Sequence, residues 1–122
     1  MRLHGWDEYL DRRDTIAAML DTRCYSIEWL DGMILNGDAR VFASTEAVIV
    51  VTVKQYPAGA TELHGLVAAG ELNAILPLIE RAEDWAREGG VTFACVSSRQ
   101  GWVRVLKGKG YWVNRIELRK DL

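Results

Sequence analysis

The chain has 122 residues, 49% apolar and 26% charged, with a formal net charge of −2. That length suits one domain burying about two-thirds of its unfolded surface, so residues 1–122 are read as one unit. The longest apolar run, Ala47 to Val53, is too short for a membrane span, and the opening MRLHGWDEYLDRRD has no apolar signal core; the expected location is cytoplasmic, with no membrane partner.

In chain order, Trp6, Tyr9, Leu10, Ile16, Ala17 and Leu20 recur at helical spacing and predict an amphipathic helix over 7–21. Ser26 caps a second helix with Ile27, Leu30 and Ile34 on its buried stripe and Gly37 as its stop. Three strand signals follow at 39–43, 47–55 and 61–69, joined by connections short enough for antiparallel hairpins. Residues 73–88 form the clearest helix, with Ile75, Leu78, Ile79, Ala82, Trp85 and Ala86 on one face and Gly89-Gly90 at its end. Pro77 lacks an N–H and suits only the first turn, so the expected start lies between Asn73 and Leu76.

A strand at 91–97 comes next, then a helix at 100–108 burying Trp102, Val105 and Leu106. A last alternating strand is expected at 111–119. The crossover from the third strand through the long helix to the fourth predicts a parallel pair. The expected fold is α/β (α+β): a mixed, mostly antiparallel sheet with one parallel βαβ step and helices on both faces.

Cys24 and Cys95 stand far apart with no Cys or His at ligand spacing, which excludes a zinc motif and a disulfide framework. Cys95, inside VTFACV, reads as a small hydrophobe, and no base can be named beside it from sequence. From Arg99 to Leu122, seven basic side chains face two acidic ones, a net +5 that leaves −7 on the rest. A basic end on an acidic body can attract an anionic ligand, but an acidic overall balance without a recognised motif argues against nucleic acid.

Short motifs recur in a telling order: Tyr56-Pro57, Ala69-Gly70, Trp85-Ala86-Arg87 with Gly90, Gly101-Trp102 with Arg104 and Leu106, and Gly110-Tyr111. From about Val41 onward this series resembles the GNAT superfamily of N-acetyltransferases, and in particular the short GNAT-like proteins of tailed phages and prophages. The resemblance implies an acetyl-CoA site between two splayed parallel strands. Pantetheine would pair with the backbone of Val67, Ala68 and Ala69. Pyrophosphate would meet backbone amides of Gly70, Glu71, Leu72 and Asn73, where free N–H groups and the helix dipole favour an anion. Arg99, at the end of the fourth strand, and Arg104, on the next helix, are further expected anion contacts.

The chain departs from that pattern at two places. The family's phosphate loop keeps glycines, whereas Glu71, Leu72, Asn73 and Ala74 stand here, and Glu71 brings negative charge where phosphate would dock. The tyrosine that many members use to protonate the departing thiolate is replaced by Leu106. A base remains: Glu62 and His64 lie two apart on one face of the third strand. These departures favour a degenerate, phage- or prophage-derived GNAT-like domain with a binding or assembly role, its pocket filled by Ile75 and Leu106. The alternative is an acetyl-CoA-dependent N-acetyltransferase acting on an amine. The expected partner is a second copy or a phage protein.

Overall fold

The computed structural model describes residues 3–122. Helices α1 (Trp6–Asp11), α2 (Arg13–Met19) and α3 (Ile27–Leu35) precede strands β1 (Arg40–Ala43), β2 (Val48–Gln55) and β3 (Thr61–Ala69). Then come α4 (Leu72–Glu88), β4 (Phe93–Val96) and α5 (Gln100–Lys107). The sheet order is β1-β2-β3-β4. The first two pairings are antiparallel and the β3–β4 pairing is parallel. The mixed sheet and its single parallel step are as the sequence pattern predicts.

Alternation along β2 decides which helices lie on which face. Val48 and Val50 join Tyr9, Ile16, Leu30, Ile34 and Val41 in one core, under α1–α3. Ile49 and Val51 join Phe42, Leu63, Ile75, Leu78, Ala82 and Ala86 in the other, under α4. A strand buried on both faces must be apolar at successive positions, which is why this run is continuous rather than alternating.

The helix expected over 7–21 is interrupted at Arg12, whose φ of −110° and ψ of 8° close α1 and open α2. The two arginines at the break go separate ways: Arg12 donates to the Thr45 carbonyl at 3.2 Å, while Arg13 forks onto Asp31 of α3. Tyr9, fully buried, donates its hydroxyl to the same carboxylate at 2.7 Å. Burial and Asp31 push the phenol well above its usual range, so it stays a donor. Ser26 caps α3 as expected, accepting from the Trp29 N–H at 3.2 Å.

Helix α4 begins earlier than Pro77 suggests. Glu71 is its N-cap, in extended conformation and without a side-chain cap bond, and Leu72 is its first residue. Pro77 therefore lies in the helix interior. The carbonyl it deprives of a donor belongs to Asn73, which is exposed, so water can take that bond.

The strand expected at 111–119 is the main correction. Among the described residues no ladder includes it, and residues 111–122 carry no regular structure. Alternation alone does not make a strand: β4 ends the sheet with its outer edge unpaired among the described residues, yet the arm forms no ladder with it and stays exposed. Its far end is held instead by ion pairs, Arg119 to Asp21 at 2.6 Å and Arg23 to Asp121 at 2.8 Å.

Gly70 joins β3 to α4 at φ +125°, a conformation that side chains rarely adopt. A Cβ there would stand 2.7 Å from the Ala47 Cβ and 2.8 Å from the Glu46 carbonyl oxygen. Gly70→Ala is expected to cost about 2–4 kcal/mol from strain and the clash together. Urea unfolding of the variant checks this, and an unchanged midpoint would refute it.

Candidate functional site

The site originates in one irregularity of β3. Val50 pairs with Val67, but the next β2 residue, Val51, pairs with Gly65, so Leu66 is an extra residue on β3. A bulge of this kind bends its strand and increases the local twist. The parallel pairing of β3 with β4 runs from Glu62–Phe93 to Gly65–Val96 and ends there, at the bulge. Beyond that point Val67 to Ala69 pair with β2 only, and the β4 side of this stretch has no strand partner among the described residues.

The separation opens a cavity of about 330 Å³. Met19 of α2 reaches it from one face of the sheet, and Ile75, Ile79 and Trp102 reach it from the other, so the cleft passes between the strands. Its waist is narrow-sided, with Gly65, Ala68 and Gly70 among its walls. A hollow of about 70 Å³ between α4 and α5, lined by Leu76, Ile79 and Leu106, is too small for an organic ligand.

Of the residues expected at an acyl-CoA site, Val67, Ala68, Gly70, Leu72 and Arg99 line this cleft. Ala69 turns its methyl into the core under α1–α3. Glu71 and Asn73 are exposed at the start of α4 and do not line the cavity, nor does Arg104, exposed on α5. Ile75 lines the cleft without closing it, and Leu106 packs instead beside α4. Tyr111 also lines it, but its hydroxyl donates to Glu83 Oε2 at 2.5 Å. Burial first, and then Glu83, hold that phenol protonated far above its usual range.

Glu62 and His64, read from sequence as alternative bases, form one dyad on the paired stretch of β3; neither lines the cleft, though Leu63, Gly65 and Cys95 beside them do. His64 Nδ1 stands 2.9 Å from Glu62 Oε2. A carboxylate can only accept, so the shared proton belongs to Nδ1, and neutral His64 keeps its lone pair on Nε2. Glu62 is buried, while His64 is partly open. Register sets Cys95 of β4 opposite His64, and Cys95 lines the cleft.

Two members of this cluster escape a reading of sequence alone. Tyr56, in the β2–β3 turn, donates its hydroxyl to Glu62 Oε1 at 2.6 Å. The Cys95 thiol and the Glu62 carboxylate each shift the other's pKa, so a base does lie near it. Burial and the Glu62 charge push that thiol upward, which keeps it protonated and poorly nucleophilic. Burial raises the Glu62 pKa as well, but donors on Tyr56, Cys95 and His64 outweigh it and hold the carboxyl below its ordinary value. The hairpin that carries Tyr56 back onto Glu62 was the available clue.

No family model and no curated protein sequence matches the chain. Solved structures do. A putative acetyltransferase from Pyrococcus furiosus superposes with a TM-score of 0.72 at 15% identity, over 97% of this chain and 96% of that one. A GCN5-related N-acetyltransferase from Ralstonia eutropha JMP134 gives 0.61 at 20% identity, over 87% and 77%. A predicted acetyltransferase from Clostridium acetobutylicum, solved with acetyl-CoA, gives 0.63 at 12% identity, over 93% and 84%. The chain has the GNAT acyltransferase fold. The bulged third strand, its parallel neighbour and the cleft between them are thus parts of a GNAT-like framework, as the motif series implies.

Because the folded-state pKa of Glu62 is depressed, its contribution to stability is complete above the unfolded value of about 4.3 and disappears as pH falls through the folded one. The stability difference between the native chain and Glu62→Gln should narrow as pH falls from about 5 to below about 4. Denaturant titrations across that range test the sign; a gap that widens on acidification would contradict it.

Proposed function

We propose that this protein is an acetyl-CoA-dependent N-acetyltransferase with an altered cofactor loop, acting on an amine. The observation that carries the reading is an open cleft between parallel strands, with an ordered Glu–His dyad on β3 next to its lining residues Leu63, Gly65 and Cys95. A non-catalytic module would be favoured by a cleft plugged by Ile75 and Leu106, and neither side chain plugs it.

The residues present suit an acyl thioester on a slim arm. Gly65, Ala68 and Gly70 leave width between the strands, and the backbone from Leu66 to Ala69 has unpaired polar groups on its β4 side. An amide-bearing arm is complementary to such an edge. At the mouth, Leu72 and Asn73 open α4 with free amides, and Arg99 adds positive charge to the cleft wall. Glu71 works against an anion there, which makes the phosphate end the weaker half of the site.

Acetyl-CoA supplies an activated acetyl thioester. His64 Nε2 takes the proton from the attacking amine as the C–N bond forms and the C–S bond breaks. Glu62, anionic and fixed by Tyr56, stabilises the imidazolium and fixes its tautomer. Leu106 offers no proton to the leaving thiolate, and the Tyr111 hydroxyl is committed to Glu83. Ser97 is left as a hydroxyl on the cleft wall.

Acetyl-CoA at ten times its Kd should add about 1.4 kcal/mol and raise the Tm by about 3–5 °C. His64→Gln should keep that shift while slowing thiol release, with a panel of primary amines, by about 10²-fold. No shift at millimolar acetyl-CoA would overturn the reading; an unaltered rate in His64→Gln would remove the dyad from the chemistry.

A further inference from the structure

Because β3 and β4 are parallel, α4 and α5 begin at the same end of the sheet and flank the mouth of the cleft. One rim carries Glu71, exposed and without a side-chain cap bond, between the cleft residues Gly70 and Leu72. The other carries Arg99, the N-cap of α5, exposed and itself part of the cleft wall. Positive charge continues outward from there. Gln100, Arg104 and Lys107 stand at i, i+4 and i+7 of α5 and form an exposed stripe, while Leu106 is buried and Trp102 packs against the core under α4. Lys109 is paired with Glu80, but Arg99, Arg104 and Lys107 have no acidic partner among the described residues. At the rise of a helix this track leads about 12 Å away from the mouth.

The two rims treat a thioester donor according to what it carries. Coenzyme A brings a pyrophosphate and a ribose phosphate to the mouth, and Glu71 opposes that concentration of negative charge. A phosphopantetheine tether fixed to a protein brings a single phosphodiester, which Arg99 can meet by itself.

We infer that the acyl donor is presented by an acidic carrier protein, whose phosphopantetheine tether enters the cleft while its acidic surface lies on the α5 stripe. The inference rests on the acyltransferase reading above and names the donor for that same site. Charge complementarity selects the occupant. The unpaired cations start at the cleft wall and lead outward, so a partner that covers them holds its tether at the mouth. The chain as a whole is negative, at −2, so an acidic partner is turned away from its other faces and toward α5. Such contacts supply orientation and a fast encounter more than affinity, which suits a donor that must leave after each transfer. The bond changes are unaltered: C–N forms, C–S breaks, the amine proton passes to His64, and the thiolate stays on the carrier's tether.

The test compares acetyl-CoA, acetyl-phosphopantetheine and acetylated acyl carrier protein as donors to one primary amine with the full chain. Acetyl-phosphopantetheine should match acetyl-CoA, and the carrier-borne donor should show a KM lower by about tenfold, an advantage removed by about 0.5 M NaCl. Arg104→Glu combined with Lys107→Glu should abolish that advantage, with far-UV circular dichroism and the KM for acetyl-CoA unchanged. A carrier-borne donor no better than acetyl-phosphopantetheine, or one indifferent to the double variant, would overturn the proposal. If no donor releases thiol, the enzyme reading fails by itself, and calorimetry with the same carrier protein still decides docking: a Kd on the order of 10 μM is expected, and no binding would refute it.

Discussion

Everything specific to the site depends on where the parallel ladder between β3 and β4 stops. Four residue pairs hold the strands together, from Glu62–Phe93 to Gly65–Val96. One extra residue, Leu66, then turns β3 away. The cost is a stretch of backbone with unmet polar groups on one side, which a soluble protein tolerates when the gap is open to water or a ligand. The gain is a slot that crosses the sheet. The ladder fixes its closed end and the bulge fixes its width, and the dyad on Glu62 and His64 lies within that ladder.

The dyad shows how a buried carboxylate can be affordable and useful together. Isolated, Glu62 would be driven toward its neutral form by burial. Two groups hold it by geometry, Tyr56 from the hairpin turn and His64 from the same strand, and the Cys95 thiol of the parallel neighbour adds to its stabilisation. The consequence reaches beyond the carboxylate itself. His64 is held in one tautomer with its basic nitrogen free, while Cys95 is held as a thiol. The same negative charge therefore orients one neighbour's ring and keeps the other protonated as a thiol.

Much of the framework was legible because period and burial coincide. The continuous β2 run, the α4 stripe and the Ser26 cap each express a local rule that tertiary structure does not override. The break at Arg12 was not legible, since Tyr9 and Ile16 fit one uninterrupted stripe and only tertiary partners for Arg12 and Arg13 mark the division. Pro77 misled for a related reason: its cost falls on the exposed Asn73 carbonyl, where water removes it. The residues of the cleft were partly readable. Small side chains at Gly65, Ala68 and Gly70 mark the slot, whereas Met19 and Trp102 enter from elements whose packing no local pattern encodes. The Cys95–Glu62 contact depends on parallel register, which spacing along the chain cannot supply.

Tyr111 belongs to two regions at once. Its ring forms part of the cleft wall, its hydroxyl is tied to α4 through Glu83, and its N–H closes onto the Leu106 carbonyl at 3.0 Å. The arm starts at the very next residue. A pull on the tail near Trp112 is thus delivered first to a side chain of the cleft wall, and the phenol ties that wall to α4.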